Sequence, residues 1–153
     1  MSSQLKKRYP FVTAVHWFAF NPQGEVLLSR RFQTGYKDGQ FSLPAGHVEG
    51  GETATEALIR EVREEVGVVL SPQDLTFAHV MHRNNVTEPF ERIDFFFTTH
   101  NFVGEFENKE PQKCDLLAWY HPNKLPATMV EYVENALGQV LQKKAFSEFL
   151  EEI

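Results

Sequence analysis

Gly46-His-Val-Glu-Gly-Gly-Glu52, then Thr53 to Ile59, then Arg60-Glu-Val-Arg-Glu-Glu-Val-Gly-Val68 is the stretch on which the reading of this chain turns. Glu61, Glu64 and Glu65 fall at i, i+3 and i+4, a spacing that stacks side chains on one face of an α-helix. Carboxylates crowded in this way repel one another. A hard divalent cation is the simplest neutraliser, because Mg²⁺ takes oxygen ligands and bridges to substrate phosphates. A helical wheel at about 100° per residue separates three faces. Leu58, Ile59, Val62 and Val66 share an apolar arc. Glu61, Glu64 and Glu65 share an acidic arc around the small Ala57, and Glu56, Arg60 and Arg63 take the third. An ordinary surface helix needs only two faces, so the acidic arc calls for a separate explanation. Gly50-Gly51 ahead of the helix permits backbone conformations closed to other residues and lets backbone groups approach an ion or phosphate. Gly67 after Val66 is a C-terminal stop signal. A merely solvated acidic helix would leave both the glycines and the embedded Arg60 unexplained.

With those residues in place, the stretch resembles the Nudix box: Gly46, five residues, Glu52, seven residues, then Arg60-Glu61-Val62-Arg63-Glu64-Glu65-Val66-Gly67-Val68, with every fixed position matched. Leu43-Pro44-Ala45 leads into it as in many family members. Glu110-Pro-Gln-Lys-Cys114 followed by Trp119-Tyr120 is similar to a downstream segment of MutT-like nucleotide hydrolases, so the resemblance runs from residue 11 to residue 126. It implies an α+β chain, a Nudix-type α/β/α sandwich with a central mixed β-sheet, and a single domain over residues 1–153. It also implies hydrolysis of a phosphoanhydride in a nucleoside diphosphate linked to another moiety. Metal ions clamp the phosphate oxygens in such reactions and hold a water in line.

The same resemblance distributes roles. Glu61, Glu64 and Glu65 are the implied ligands of Mg²⁺ or Mn²⁺, with the Gly46 carbonyl as a further ligand. Either Glu61 or Glu64 is the general base. Glu52 supports the loop and meets Arg60 or an outer-sphere water. Arg60 orients carboxylates, since a guanidinium holds two oxygens in a fixed fork. Glu110, in a Pro-flanked loop, is either an extra carboxylate for the metal or a solvated loop residue. Arg30 and Arg31 at a strand end, and His47 inside the box, are candidate substrate contacts, with plain surface positions as the alternative. Asp94 interrupts the apolar run Ile93–Phe97. A partly buried carboxylate needs a partner, which would be a base edge of the substrate or, more simply, Arg83 or Arg92. Phe95, Phe96 and Phe97 read as core, Cys114 as packing, and His79, His82 and His100 as structural or solvent-facing.

Composition agrees with this reading. The chain has 153 residues, 42% hydrophobic with fourteen Phe, which is enough for one domain with a real core. A net charge of −6 argues against a nucleic-acid polymer as partner but not against a single nucleotide carried with its metal. One cysteine, Cys114, excludes a disulfide framework and a zinc cluster. Lys6-Lys7-Arg8 before Phe11–Phe20 has the outline of a signal peptide. His16 and Trp17 break the run, however, and no small-residue cleavage site follows, so a cytoplasmic protein with no membrane span is expected. The spacing predicts a β-hairpin from Phe11–Phe20 and Glu25–Arg31 turning at Asn21-Pro-Gln-Gly24, strands at Leu75–Arg83, Ile93–His100 and Leu116–Tyr120, and a C-terminal helix carrying Met129, Val133, Ala136, Leu137 and Val140. A nucleoside triphosphate cleaved to monophosphate and pyrophosphate is the expected substrate. ADP-ribose, a nucleotide sugar or a dinucleoside polyphosphate is the alternative, and a non-catalytic nucleotide sensor a further one. Members acting on ADP-ribose often carry a proline a short way past their box, and Met81-His-Arg-Asn-Asn85 has none. Monomer and homodimer both stay open.

Overall fold

The computed structural model describes residues 6–152; residues 1–5 and 153 of the expected domain lie outside the described residues. Eight strands and two α-helices follow one another as β1 (Phe11–Ala19), β2 (Val26–Arg31), β3 (Phe41–Ser42), β4 (Ala45–His47), α1 (Ala54–Val66), β5 (Thr76–Asn85), β6 (Glu91–Thr99), β7 (Cys114–Tyr120), α2 (Glu131–Leu141) and β8 (Phe146–Glu151). The main sheet is mixed, in the order β4-β1-β6-β5-β8, with β1/β6 and β5/β8 parallel and the other pairs antiparallel. A smaller antiparallel sheet runs β3-β2-β7.

Strand alternation divides the interior in two, because successive side chains point to opposite faces. Phe18 of β1 and Phe20 just past its end join Met81, Phe96, Val133, Ala136 and Leu137 in a core under α2. Val15, Trp17 and Ala19 join Leu58, Val62 and Val66 in a second core under α1. One helix therefore covers each face, giving the α/β/α sandwich.

α1 begins on a capping box. Thr53 Oγ1 accepts from the Glu56 N–H and Glu56 Oε2 accepts from the Thr53 N–H, at 3.2 and 2.7 Å. It ends at Gly67, whose left-handed φ of 70° lets its N–H return to the Arg63 carbonyl. Ala57, inside the acidic arc of the wheel, is fully buried alongside Leu58 and Val62. Within the acidic face, Glu61 and Glu65 lie against β4, whereas Glu64 is half exposed.

The expected hairpin is corrected. The turn at Asn21–Gly24 forms, with Asn21 Oδ1 accepting from the Gln23 and Glu25 N–H groups at 3.0 and 2.9 Å. β1 and β2, however, enter different sheets and share only the bridge Phe20–Val26. Both edges of β1 are already filled, by β4 and β6, so β2 pairs with β3 and β7. β8 is an addition to the expected elements. Buried His79 ties it to β5, bonding the Lys144 carbonyl and Ser147 Oγ at 2.7 Å each. No helix among the described residues is long and apolar enough to cross a membrane.

Candidate active site

Arg60 organises the acidic face. Its Nε and Nη2 donate to the two oxygens of Glu52 at 3.0 and 2.7 Å, its Nη1 donates to Glu61 Oε1 at 2.7 Å and reaches Glu64 Oε2 at 3.4 Å, and Nη2 also reaches the His47 carbonyl at 3.1 Å. One guanidinium thereby locks the loop before the helix to two of the three clustered glutamates. The Arg60 hydrogen bonds, with a further one from the Glu49 N–H, hold Glu52 down to about 2. The Glu49 N–H donates to Glu52 Oε1 at 2.8 Å, so the same carboxylate also meets the loop ahead of the helix.

Gly46 is a steric requirement. A Cβ on Gly46 would sit 2.0 Å from Glu61 Cδ, so the carboxylate lies directly on the glycine backbone of β4. Glu65 leans the same way, its Oε2 accepting from the Ala45 N–H at 2.9 Å. Burial, opposed by that N–H and reinforced by the charges of Glu61 and Glu110, pushes Glu65 up to about 8. Burial also raises Glu61 against the pull of Arg60, with Glu64 and Glu110 adding repulsion. Glu64 is the more exposed of the three.

Glu110 comes to this group because the loop before β7 is strapped to the end of α1. The Glu107 and Lys109 N–H groups donate to the Val66 and Glu65 carbonyls at 3.0 Å each. Glu61, Glu64, Glu65 and Glu110 line one cavity of about 530 Å³, shared with Arg30, Arg31, His47 and Lys113. Among the described residues no three acidic, His or Cys side chains already stand in ligand geometry around a common point. The donor set nevertheless suits a hard cation. It is made of oxygens alone, and two of its carboxylates are destabilised as anions by burial and by one another.

The two arginines differ. Arg30 is engaged with Asp115 through two hydrogen bonds of 2.8 and 3.1 Å. Arg31 has no acidic partner among the described residues. Its Nε and Nη2 are held by the Tyr36 carbonyl and Thr34 Oγ1 at 2.6 and 3.0 Å, with its guanidinium over the Tyr36 ring. His47 lies within 3.3 Å of Arg92 Nη1, and burial together with that cation lowers its pKa.

Asp94 is fully buried. Its Oδ1 accepts from His16 Nε2 at 2.9 Å and its Oδ2 from Arg83 Nε at 3.0 Å. Burial opposes its ionisation, but the bonds and charges of His16 and Arg83 prevail, and its pKa stays below the ordinary value. Arg83, one of the two partners expected, is the one present, and Arg92 turns to Glu88 and His47. His16, Tyr132 and Lys113 are cavity-lining residues that sequence reasoning did not single out. The signal for His16 was a polar residue at an inward position of an apolar strand.

The NUDIX domain family model matches residues 10–142. The chain is 35% identical over 93 residues to an 8-oxo-dGTP diphosphatase of Escherichia coli, which is 60% of this chain and 68% of that protein. It is 47% identical over 109 residues to an 8-oxo-dGDP phosphatase of Homo sapiens, 70% of this chain and 31% of that protein. It spans only between about a quarter and two fifths of the length of several curated relatives that it matches. A MutT NUDIX hydrolase from Burkholderia pseudomallei superposes with a TM-score of 0.76 and 25% identity, over 86% of this chain and 98% of that one. The fully matched box, the Arg60-centred geometry around it and these likenesses together place the chain in the Nudix hydrolase family, on its MutT-like side.

Proposed function

We propose that the chain hydrolyses a nucleoside triphosphate, unmodified or oxidised in its base, to the monophosphate and pyrophosphate. The observation supporting this is the single cavity in which Glu61, Glu64, Glu65 and Glu110 share the walls with Arg31, Lys113 and His47. Acids alone would repel a polyphosphate and basic groups alone would only bind it. The combination fits a phosphate chain carried with a divalent cation.

Nudix hydrolases generally use divalent metals such as Mg²⁺ or Mn²⁺. In this chain Glu61, Glu64, Glu65 and the Gly46 carbonyl would hold the ion, with Glu110 beside them. A bound divalent cation supplies charge neutralisation for phosphate oxygens and a bound water of lowered pKa. Arg60 keeps Glu61 and Glu52 in place. Glu64 is only loosely met by Arg60 and is open to the cavity, so it is the freer carboxylate to take a proton from the attacking water. Arg31 has donors to spare and contacts the phosphate chain, whereas Arg30 stays paired with Asp115. The names of the relatives, two of which act on 8-oxo-dGTP or 8-oxo-dGDP, support a nucleotide substrate with a modified base.

The test is a substrate panel with Mg²⁺, covering nucleoside triphosphates, 8-oxo-dGTP, ADP-ribose and sugar nucleotides, scored for pyrophosphate against orthophosphate release. Pyrophosphate release from a triphosphate is expected. Turnover confined to ADP-ribose or sugar nucleotides would overturn the substrate assignment, and no turnover at all would favour a nucleotide sensor.

A further inference from the structure

Of the four clustered carboxylates, Glu110 alone comes from outside α1. It reaches the cavity on the loop between the strap at the end of α1 and Cys114, the first residue of β7, which pairs with Arg31. One side chain closes that loop. Asn108 Oδ1 accepts from the Glu110 N–H at 3.1 Å, and Asn108 Nδ2 donates to the Cys114 carbonyl at 2.6 Å. The first bond is an Asx turn, which sets the course of the backbone into Glu110. The second ties the entry of the loop to its exit. Beyond the turn, the Glu110 carbonyl accepts from the Lys113 and Cys114 N–H groups at 2.9 and 3.0 Å, and Pro111 restricts the Glu110 backbone to extended conformations.

Two bonds of opposite sense on one short group call for an amide. Asparagine carries its acceptor and its donors on separate atoms. Aspartate would turn an oxygen against the Cys114 carbonyl, and serine has a single oxygen for both partners. The ion pairs of the loop do not replace these bonds. Lys113 Nζ stands 3.5 Å from Glu110 Oε1, and the 2.8 Å pair of Lys109 with Glu107 is exposed, so each contributes little. Asn108 itself is half-buried and does not line the acidic cavity, so its effect on an ion there passes through Glu110.

We infer that Asn108 is a positioning residue for the divalent-cation site: by closing the loop at both ends it presents the Glu110 carboxylate, already ordered, to the cavity that Glu61, Glu64 and Glu65 line. The inference rests on the proposed reading of Glu110 as a carboxylate beside the ion, and adds the group that sets it there. A loop residue that served folding alone would act in the same way whatever stood at position 110. A positioning residue acts only through the Glu110 carboxylate, and a double-mutant cycle separates the two.

Mn²⁺ binding to the whole chain, without substrate, is followed by electron paramagnetic resonance of the free ion for wild type, Asn108→Ala, Glu110→Gln and the double variant. Glu110→Gln and Asn108→Ala should each weaken Mn²⁺ by about tenfold, the low end for losing a group that orients a ligand. In the double variant Asn108→Ala should add nothing beyond about twofold. Asn108→Ser, whose hydroxyl bonds the Glu110 N–H more weakly, should fall between Asn108→Ala and wild type. The Glu110 amide should be protected from hydrogen exchange in wild type and lose that protection in Asn108→Ala. Wild-type Mn²⁺ affinity in Asn108→Ala, or its full effect surviving in the Glu110→Gln background, would overturn the inference and leave Glu110 beside the ion. An unprotected Glu110 amide in wild type would do the same, and decides the matter even where Asn108→Ala fails to fold. Unchanged Mn²⁺ affinity in Glu110→Gln would instead overturn the reading of Glu110, and the inference with it.

Discussion

Gly46→Ala separates the geometry of the site from the stability of the fold. The new Cβ would lie 2.0 Å from Glu61 Cδ, and ordinary contact begins near 3.4 Å, so the carboxylate has to retreat by about 1.4 Å. The group met is the far end of a flexible side chain and not backbone. The retreat should therefore cost no more than about 1 kcal/mol of stability, the low end for overpacking. It does break the 2.7 Å contact with Arg60 Nη1 and takes Glu61 away from the Gly46 carbonyl. A misplacement of about 1 Å in a positioned group costs on the order of 10²-fold in rate. The expected result is a fall in kcat of about that size with a thermal midpoint lowered by only a few degrees, measured by pyrophosphate release and by melting. A variant within about threefold of wild type would show that the Glu61 position is not critical. A variant that melts far below wild type would show that Gly46 serves the fold.

Other perturbations bear on the remaining parts. Arg60→Lys gives up the fork on Glu52, and Mn²⁺ titration should show metal affinity weakened by about 10–100-fold, the usual cost of losing a ligand-orienting partner. Asp94→Asn leaves buried Arg83 with only the longer 3.4 Å contact to Glu151 as an anionic partner and should cost roughly 3 kcal/mol in urea unfolding. Because the folded Asp94 pKa is below its ordinary 3.8, its stabilisation is complete above that value and is lost as pH falls through the lower folded pKa, so acid unfolding should start at higher pH in the variant. Glu65 has the opposite sign. Its folded value of about 8 against an ordinary 4.5 means that the folded state holds a proton the unfolded state has lost. The metal-free protein should therefore lose stability as pH rises from 4.5 towards 8, a slope that Glu65→Gln removes in calorimetry at several pH values.

Local chemistry was legible in the sequence and long-range pairing was not. The turn at Asn21–Gly24, the stop at Gly67 and the apolar stripe Leu58-Val62-Val66 all depend on residues a few positions apart, and all stand as expected. The Thr53–Glu56 capping box is equally local, spanning three residues. The hairpin failed because the sheet assignment of β2 depends on who already occupies the edges of β1, which no local pattern records. β8 was missed because Phe146 and Leu150 are exposed, so it shows no apolar face. In the site, the Arg60–Glu52 fork spans eight residues and matched a family pattern. The His16–Asp94 bond spans 78 residues, and nothing in either neighbourhood names the other.

Mg²⁺-dependent hydrolysis by Glu64→Gln, assayed beside wild type over a titration of the metal, tests the role given to the acidic face. The substitution keeps the shape and removes the charge of a half-exposed side chain, so the melting temperature should be unchanged. Turnover should fall by at least about a hundredfold at every Mg²⁺ concentration, the low end for a group that both holds the ion and takes the proton. Unchanged turnover in a folded variant would contradict the assignment of Glu64 to the metal and the water.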